Sequence, residues 1–427
     1  MQNKFLTLLL IAVFTITFTA SGQKDVNSPY SRYNIGMLEP AGSFRNLSMG
    51  GIEAALRDNS SVSISNPASY SAIDTTSFIF DFGIDYSMNY LNDGTSKFSS
   101  DDINFDHLIM GFPIAKGFGA TIGVVPLSNN YYKVSGSVQE GDPDYNSSVG
   151  AYTTFHGGSG SFYKFFLGTG LKINKNFSLG VNMTVLTGEL KRVNQIDFSD
   201  AYYVYNDNST EKLGLNGVNF DYGIQYTASL KNNHFFNAGI SLASSHNYNS
   251  NYNLLSIRYA SLGAADTISY TSSKADAFIP GTLRAGISFG KKNKFMAGFD
   301  YIETKWSQSK IPGSEAYAAD TKSYLAGFEY IPDKFSNYSF INRLEFRAGG
   351  HYADNYVIIN GEQVKEYGVS AGIGIPMRRT YSKTNIFFDY TKRTGPSAQN
   401  LHTENYFTFG ISLNLYDPYW FIKRKYD

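Results

Sequence analysis

The sequence predicts an all-β fold, a transmembrane antiparallel β-barrel of about fourteen strands closed around an N-terminal plug. Three observations predict it. Apolar and polar residues alternate with a period of two in segment after segment, from Thr75 to the C-terminal region. The 427 residues include 40 Gly, 33 Tyr and 33 Phe but only 2 Trp and no Cys. Such a composition suits strands, tight turns and aromatic girdles. Finally, the chain opens on an export sequence.

That opening segment, residues 1–22, reads as a cleaved signal peptide. Lys4 supplies the positive region, Phe5 to Phe18 the apolar run, and Ala20-Ser21-Gly22 the small residues of a cleavage site. The run is shorter than the roughly 20 apolar residues of a membrane-spanning helix. Residues 23–74 follow with irregularly spaced Gly, Asn, Ser and Pro and no strand pattern. One short helix is expected within them, from Ile52 to Arg57, ended by Asp58-Asn59-Ser60-Ser61.

The barrel is expected over residues 75–416. Its strands are placed near 76–91, 103–115, 118–138, 160–173, 177–198, 216–230 and 234–257, then 267–290, 294–307, 321–332, 341–355, 365–377, 384–394 and 404–416. Alternation is clearest in the last, where Phe407, Phe409, Ile411, Leu413 and Leu415 alternate with polar or small residues. Short turns such as Asn174-Lys175-Asn176 alternate with longer polar connections, as barrel strands with short turns on one side and long loops on the other require. Residues 417–427 form a basic, aromatic tail.

The alternation also decides the environment. A soluble sandwich would have to cover every apolar row with a second layer. A barrel in lipid needs none, because the apolar row meets acyl chains and the polar row meets the lumen. Closure removes the edge strands that would aggregate. A mean hydropathy of −0.26 fits a wall of which one face meets lipid.

Charge and motifs exclude other classes. Basic and acidic residues number 36 each, which argues against nucleic acid as a partner. No thiol is present for a disulfide, a CxxC site or an N-terminal lipid anchor. The His residues have no metal-binding spacing. Gly157-Gly158-Ser159-Gly160-Ser161 fails both the nucleophile-elbow and the phosphate-loop patterns, and His156 with Ser159 offers a base and a nucleophile without a catalytic motif around them. Gly168-Thr169-Gly170 and Gly372-Ile373-Gly374 are not dinucleotide fingerprints. They sit at period two in strands, where small residues ease a bend or the close approach of another backbone. No enzyme activity and no cofactor is expected.

The stretch Ser48-Met49-Gly50-Gly51, Ala54-Ala55-Leu56-Arg57-Asp58-Asn59-Ser60-Ser61 and Ser65-Asn66-Pro67-Ala68 resembles the N-terminal hatch of the FadL family, outer-membrane channels for long-chain fatty acids and other hydrophobic molecules. The same pattern occurs in PorV-like barrels of the Bacteroidetes secretion apparatus, a related fold. Gly123-Val124-Val125-Pro126-Leu127 is similar to an early strand of the family in which Pro interrupts the wall. Ile279-Pro280-Gly281-Thr282-Leu283-Arg284-Ala285-Gly286, with Asp300-Tyr301 and Lys305-Trp306-Ser307-Gln308 after it, is similar to a later strand pair. The tail after the last strand looks more like the Bacteroidetes members.

The resemblance implies an outer-membrane location, a lipid surround, and residues 23–74 as a hatch turned by Gly50 and Gly51 and delivered to the first strand by Asn66-Pro67-Ala68. It implies passive uptake of a hydrophobic small molecule, bound behind the hatch and released sideways near Pro126. The alternative is a non-transporting subunit that docks other outer-membrane proteins in a secretion or assembly complex. Read as residues alone, Pro126 is a wall opening, an ordinary bulge or a strand end, and Asn66-Pro67 a turn. Arg284, Asp300, Glu329, Arg343, Glu345, Arg347 and Asp389 fall on the expected lumen face. Arg284, Arg343 or Arg347 could fork onto a ligand carboxylate. The mixed signs on neighbouring strands suit better a salt-bridge lattice tying wall to hatch.

Overall fold

The computed structural model describes residues 28–92, 97–199, 204–259, 265–314, 318–359, 361–378, 380–395 and 403–422. The expected signal peptide and the basic end of the tail, from Lys423 on, lie outside them. The wall strands are β1 (Phe78–Asn92), β2 (Lys97–Ala115), β3 (Phe118–Asn129, continued as Tyr132–Val138), β4 (Tyr152–Lys172) and β5 (Phe177–Phe198). Then come β6 (Asn206–Ser229), β7 (His234–Ala243 and His246–Tyr259) and β8 (Asp266–Ser273, Asp276–Ile279 and Thr282–Lys291). The last are β9 (Phe295–Thr304), β10 (Thr321–Tyr330), β11 (Glu345–Ile359), β12 (Glu362–Pro376), β13 (Lys383–Thr394) and β14 (Thr403–Asp417). Each is antiparallel to the next, and β14 pairs with β1 from Thr403↔Asn92 to Asp417↔Phe78, closing a barrel of 14 strands.

The period-two pattern becomes the two faces of this wall. On β5, Phe177, Leu179, Val181 and Met183 are exposed on the outside while Ser178, Asn182 and Thr184 are buried within. β14 repeats it, with Phe409, Ile411 and Leu415 outside and Ser412 and Asn414 inside. The outer belt is that of a membrane β-barrel. Among the described residues no helix is long and apolar enough to cross a membrane.

Several strands run further than the sequence indicates. β2 starts at Lys97, β4 at Tyr152 and β6 at Asn206. Parts of these added ends, such as Asn206-Asp207-Asn208-Ser209-Thr210, carry no apolar row. They extend because neighbouring ladders satisfy their backbone groups, for example Asn206↔Tyr259.

The core lies inside the barrel, between the wall and residues 28–74. Met49, Ile52 and Leu56 pack on Met296 and Leu325, Phe44 and Leu47 on Phe387, and Tyr30, Ile35 and Met37 among Phe162, Leu186 and Tyr356. This inner segment contains a two-residue strand, Met37–Leu38, and its one α-helical turn is Phe44–Leu47. Residues 52–57, expected to be helical, are not. Their backbone groups are satisfied by the wall instead: Asp300 accepts the N–H groups of Glu53 and Ala54, Gln225 donates to the Ala54 and Leu56 carbonyls, and Ser288 donates to that of Ala55. Wall side chains have replaced the helix's own ladder.

Candidate functional site

Two features of the lumen bear on function: how the inner segment is seated, and where the β2–β3 ladder ends.

Gly50 and Gly51 turn the inner segment at φ +71° and +83°. Gly50 also lies against β11, where an added Cβ would meet the Gly350 carbonyl oxygen at 2.6 Å. Asn66 caps the 3-10 helix Pro67–Ala72 by accepting the Ala68 N–H, and its amide donates to the carbonyls of Ala54 and of Ile224 in β6. Pro67 and Ala68 lie against β4, β5 and β6, where the lumen side is glycine: a Cβ on Gly170 would meet the Pro67 oxygen at 2.3 Å. These wall glycines make room for another backbone rather than for a nucleotide.

Of the expected lumen charges, Asp389 lines the cavity and faces His351 at 3.9 Å, while Arg284, Asp300, Glu329, Glu345 and Arg347 are used in this seating. Arg284 donates to the Gly51 carbonyl at 3.1 Å and pairs with Asp300 at 3.4 Å. Arg347 is fully buried, paired with Glu329 at 2.7 Å and with Glu345, and donates to Asn385. Arg45 of the inner segment meets the same Glu329 at 3.1 Å and Asp58 at 3.1 Å. Lys383 joins Glu345 at 2.6 Å. The result is a lattice between wall and inner segment.

Arg343 does not belong to it. The expected strand from residue 341 begins instead at Glu345, and Arg343 closes a 3-10 turn, donating to the Ser336 carbonyl and lying over the Phe340 ring. The polar position just before the strand continued its alternation in sequence but not in space. His156 and Ser159 are likewise not brought together. An odd spacing on β4 puts them on opposite faces, and His156 bonds Asn194. Among the described residues no His, Asp and Glu group could hold a metal ion.

The ladder between β2 and β3 ends short of Pro126. The β2–β3 ladder runs from Ala115↔Phe118 to Leu108↔Val124 and stops, although β2 continues to Lys97 paired to β1. Past Val124, β3 keeps its pairing with β4, with a register shift between Pro126 and Ser128. Its vacated edge is taken by the inner segment, with Met37↔Asn129 and Leu38↔Ser128 paired and Glu39 N–H donating to Leu127. Proline has no N–H to give a ladder.

A cavity of about 490 Å³ lies behind this gap. Apolar lining comes from Leu38, Phe44, Val125, Pro126, Leu127 and Phe166, while Asp85, Asp102 and Asp106 line its β1–β2 side and Lys164 and Arg284 its β4–β8 side. Sequence reasoning missed these carboxylates and the buried His107, which is held by Asp106 and, at 3.2 Å, by Asp81. The signal available was Asp106-His107 within the strand expected over 103–115, and Asp101-Asp102 just before it.

A family model described as BamG matches residues 1–427. The chain belongs to the BamG family. No curated protein matches it. Among solved structures, the BamG-family chain is similar to a CymD monoaromatic hydrocarbon channel (15% identity, TM-score 0.57, 90% of this chain and 98% of that one). It is similar to a Pseudomonas aeruginosa FadL homologue (14%, TM-score 0.61, 89% and 99%) and to the Ralstonia pickettii toluene transporter TbuX (12%, TM-score 0.52, 88% and 98%). At such identities the likeness shows the fold, which is FadL-like. A closed, even-stranded barrel of this fold with an apolar belt is an outer-membrane architecture.

Proposed function

We propose that this barrel is a passive channel of the outer membrane for small hydrophobic or amphipathic molecules, with long-chain fatty acids the first class to test. The observation that carries the reading is the gap between β2 and β3, which stands directly against the cavity. A molecule of the size such a cavity takes would bury its apolar part on Phe44, Val125, Leu127 and Phe166 and leave sideways past Pro126. Residues 23–74 would act as the plug, closing the lumen toward the short turns. The fold's likeness to channels named for hydrocarbons and toluene supports this reading.

The rival reading, a non-transporting subunit of a secretion or outer-membrane assembly complex of the kind PorV-like barrels serve, is favoured by a different feature. The β10–β11 turn carries Phe335, Tyr338, Phe340 and Ile341, all exposed, and the tail adds Tyr419, Trp420 and Phe421 on the same rim. Exposed apolar residues gathered outside the belt mark interaction surfaces.

Uptake of several radiolabelled hydrophobic solutes in a deletion strain separates the two. Reduced uptake, restored by the wild-type chain but not by one whose gap is closed by a disulfide, supports the channel. Unchanged uptake of every solute with loss of a protein assembly supports the subunit.

A further inference from the structure

We propose that the short-turn mouth of the barrel docks an acidic polypeptide segment, one that carries apolar residues among its Asp and Glu. This inference does not rest on the transport reading, and it uses none of the exposed aromatic residues of the subunit reading.

A second cavity, of about 800 Å³, lies between the inner segment and the short turns. Short turns mark the periplasmic end of such a barrel. Lys116 of the β2–β3 turn, Lys172 and Lys175 at the β4–β5 turn, and Lys291 and Lys292 at the β8–β9 turn line this cavity. Among the described residues the lysine ion pairs are Lys212 with Glu189 and Lys383 with Glu345, so none of these five is neutralised. The carboxylates that line the cavity are Asp58, Asp74, Glu329 and Glu345, and each is already engaged. Arg45 holds Asp58 and Glu329, Arg347 and Lys383 hold Glu345, and Asp74 accepts from Asn59 and Tyr416.

Arg57 is an independent sign of a missing anion. It lines the same cavity from the inner segment, half-buried. Its guanidinium donates to the Ala68 carbonyl, the Gln225 amide oxygen and the Ser71 hydroxyl, all of them neutral. Burial pushes its pKa down to about 10, and no carboxylate opposes that shift. A desolvated cation without a counter-charge is a costly arrangement. The chain as a whole carries no net charge, so the excess at this mouth is a local field, focused by the walls of the cleft.

The layout selects the class of anion. A phosphate is gripped by converging backbone N–H groups or by a guanidinium fork. Here the free charges are ammonium groups on flexible stems, spread over three turns. That spread suits several carboxylates along a chain. Ile73, Phe235 and Met296 add apolar lining, which calls for apolar residues between the acids. The end of this same chain, Lys423-Arg424-Lys425, has the wrong sign to fill the site.

The test uses the full-length barrel in nanodiscs of phosphatidylcholine and a capped, fluorescently labelled peptide in which Glu alternates with Leu, followed by anisotropy. Docking predicts saturable binding that Lys172→Glu combined with Lys292→Glu weakens at least tenfold. Both residues are exposed, and folding is checked by heat-modifiable gel migration. Lys97→Glu combined with Lys274→Glu changes the net charge equally at exposed positions of the opposite end and should leave the affinity within about twofold. A peptide with Ser in place of every Leu should bind at least tenfold more weakly. Should the turn variant not fold, the two peptides alone decide. Absence of saturable binding, equal losses in the two reversed pairs, or equal affinity of the two peptides each overturns the proposal. Displacement of the peptide by an equal concentration of inorganic tripolyphosphate also overturns it, because the mouth would then be a site for compact phosphate.

Discussion

The Asp300 carboxylate of β9 accepts the backbone N–H of Glu53 at 2.7 Å, so a charge on the wall does for the inner segment what a helix ladder would otherwise do. The same oxygen takes the Ala54 N–H and faces Arg284. Removing this acceptor strands two donors and a guanidinium in a buried setting. Asp300→Ala is expected to cost about 3–5 kcal/mol, the usual range for breaking a buried pair. Urea unfolding in detergent and protease sensitivity of residues 28–74 measure it. A change within about 0.5 kcal/mol, the range of an inert surface site, would show that the contact does not seat the segment.

Gly50 tests the seating sterically. Its φ of +71° and the Gly350 oxygen at 2.6 Å from an added Cβ leave no room for a side chain. Gly141 has φ +101° but nothing within 4 Å. Gly141→Ala should cost about 1 kcal/mol from backbone strain alone. Gly50→Ala should cost clearly more in the same unfolding assay, and equal losses would place Gly50 away from the wall.

The two arginines expected in the lumen should now diverge. Arg347→Ala removes the buried guanidinium that joins Glu329, Glu345 and Asn385, leaving Glu329 to Arg45 and Glu345 to Lys383, and should lose about 3 kcal/mol. Arg343→Ala removes a turn contact and should stay within about 0.5 kcal/mol. Similar losses for both would contradict the placement of Arg343 outside the lattice.

Asp58 gives the lattice a pH signature. Burial alone would raise its carboxyl, but Arg45, with Lys383 and Lys334 beyond it, overcomes this and holds it well below its ordinary value of 3.8. A folded-state pKa below the unfolded one means stability that is present above about pH 4 and lost as pH falls below it. Asp58→Asn should flatten the acid limb of a stability profile followed by tryptophan fluorescence, since Trp306 is buried against Tyr356. An acid limb of unchanged slope would assign the loss to other groups.

What the sequence made legible follows from where lipid acts. Phe177-Ser178-Leu179-Gly180-Val181 alternates because one face meets acyl chains, and the barrel with its strand number could be read from such segments. Above the belt, Asn206 to Glu211 has no apolar face, so the strand there is stabilised only by its neighbours and leaves no periodic trace. The seating of the inner segment was half legible. Period-two glycines such as Gly168-Thr169-Gly170 signalled the approach of a second backbone, but which backbone came from the fold. Residues 52–57 have the composition of a helix, and only tertiary acceptors on Asp300 and donors on Gln225 explain why they are not one. Pro126 could be picked out as a break in a ladder. The carboxylates beside it, on a neighbouring strand, could not be connected to it without the register.

Planar-bilayer conductance of the full-length barrel, set against a variant lacking residues 23–74, tests the central claim most directly: an inner segment, held by Asp300, Glu329 and the wall glycines, fills an otherwise open lumen. The account predicts a closed full-length barrel and a stable, ohmic, non-selective pore in the variant. Indistinguishable conductance, in a variant that still shows heat-modifiable migration, would contradict it.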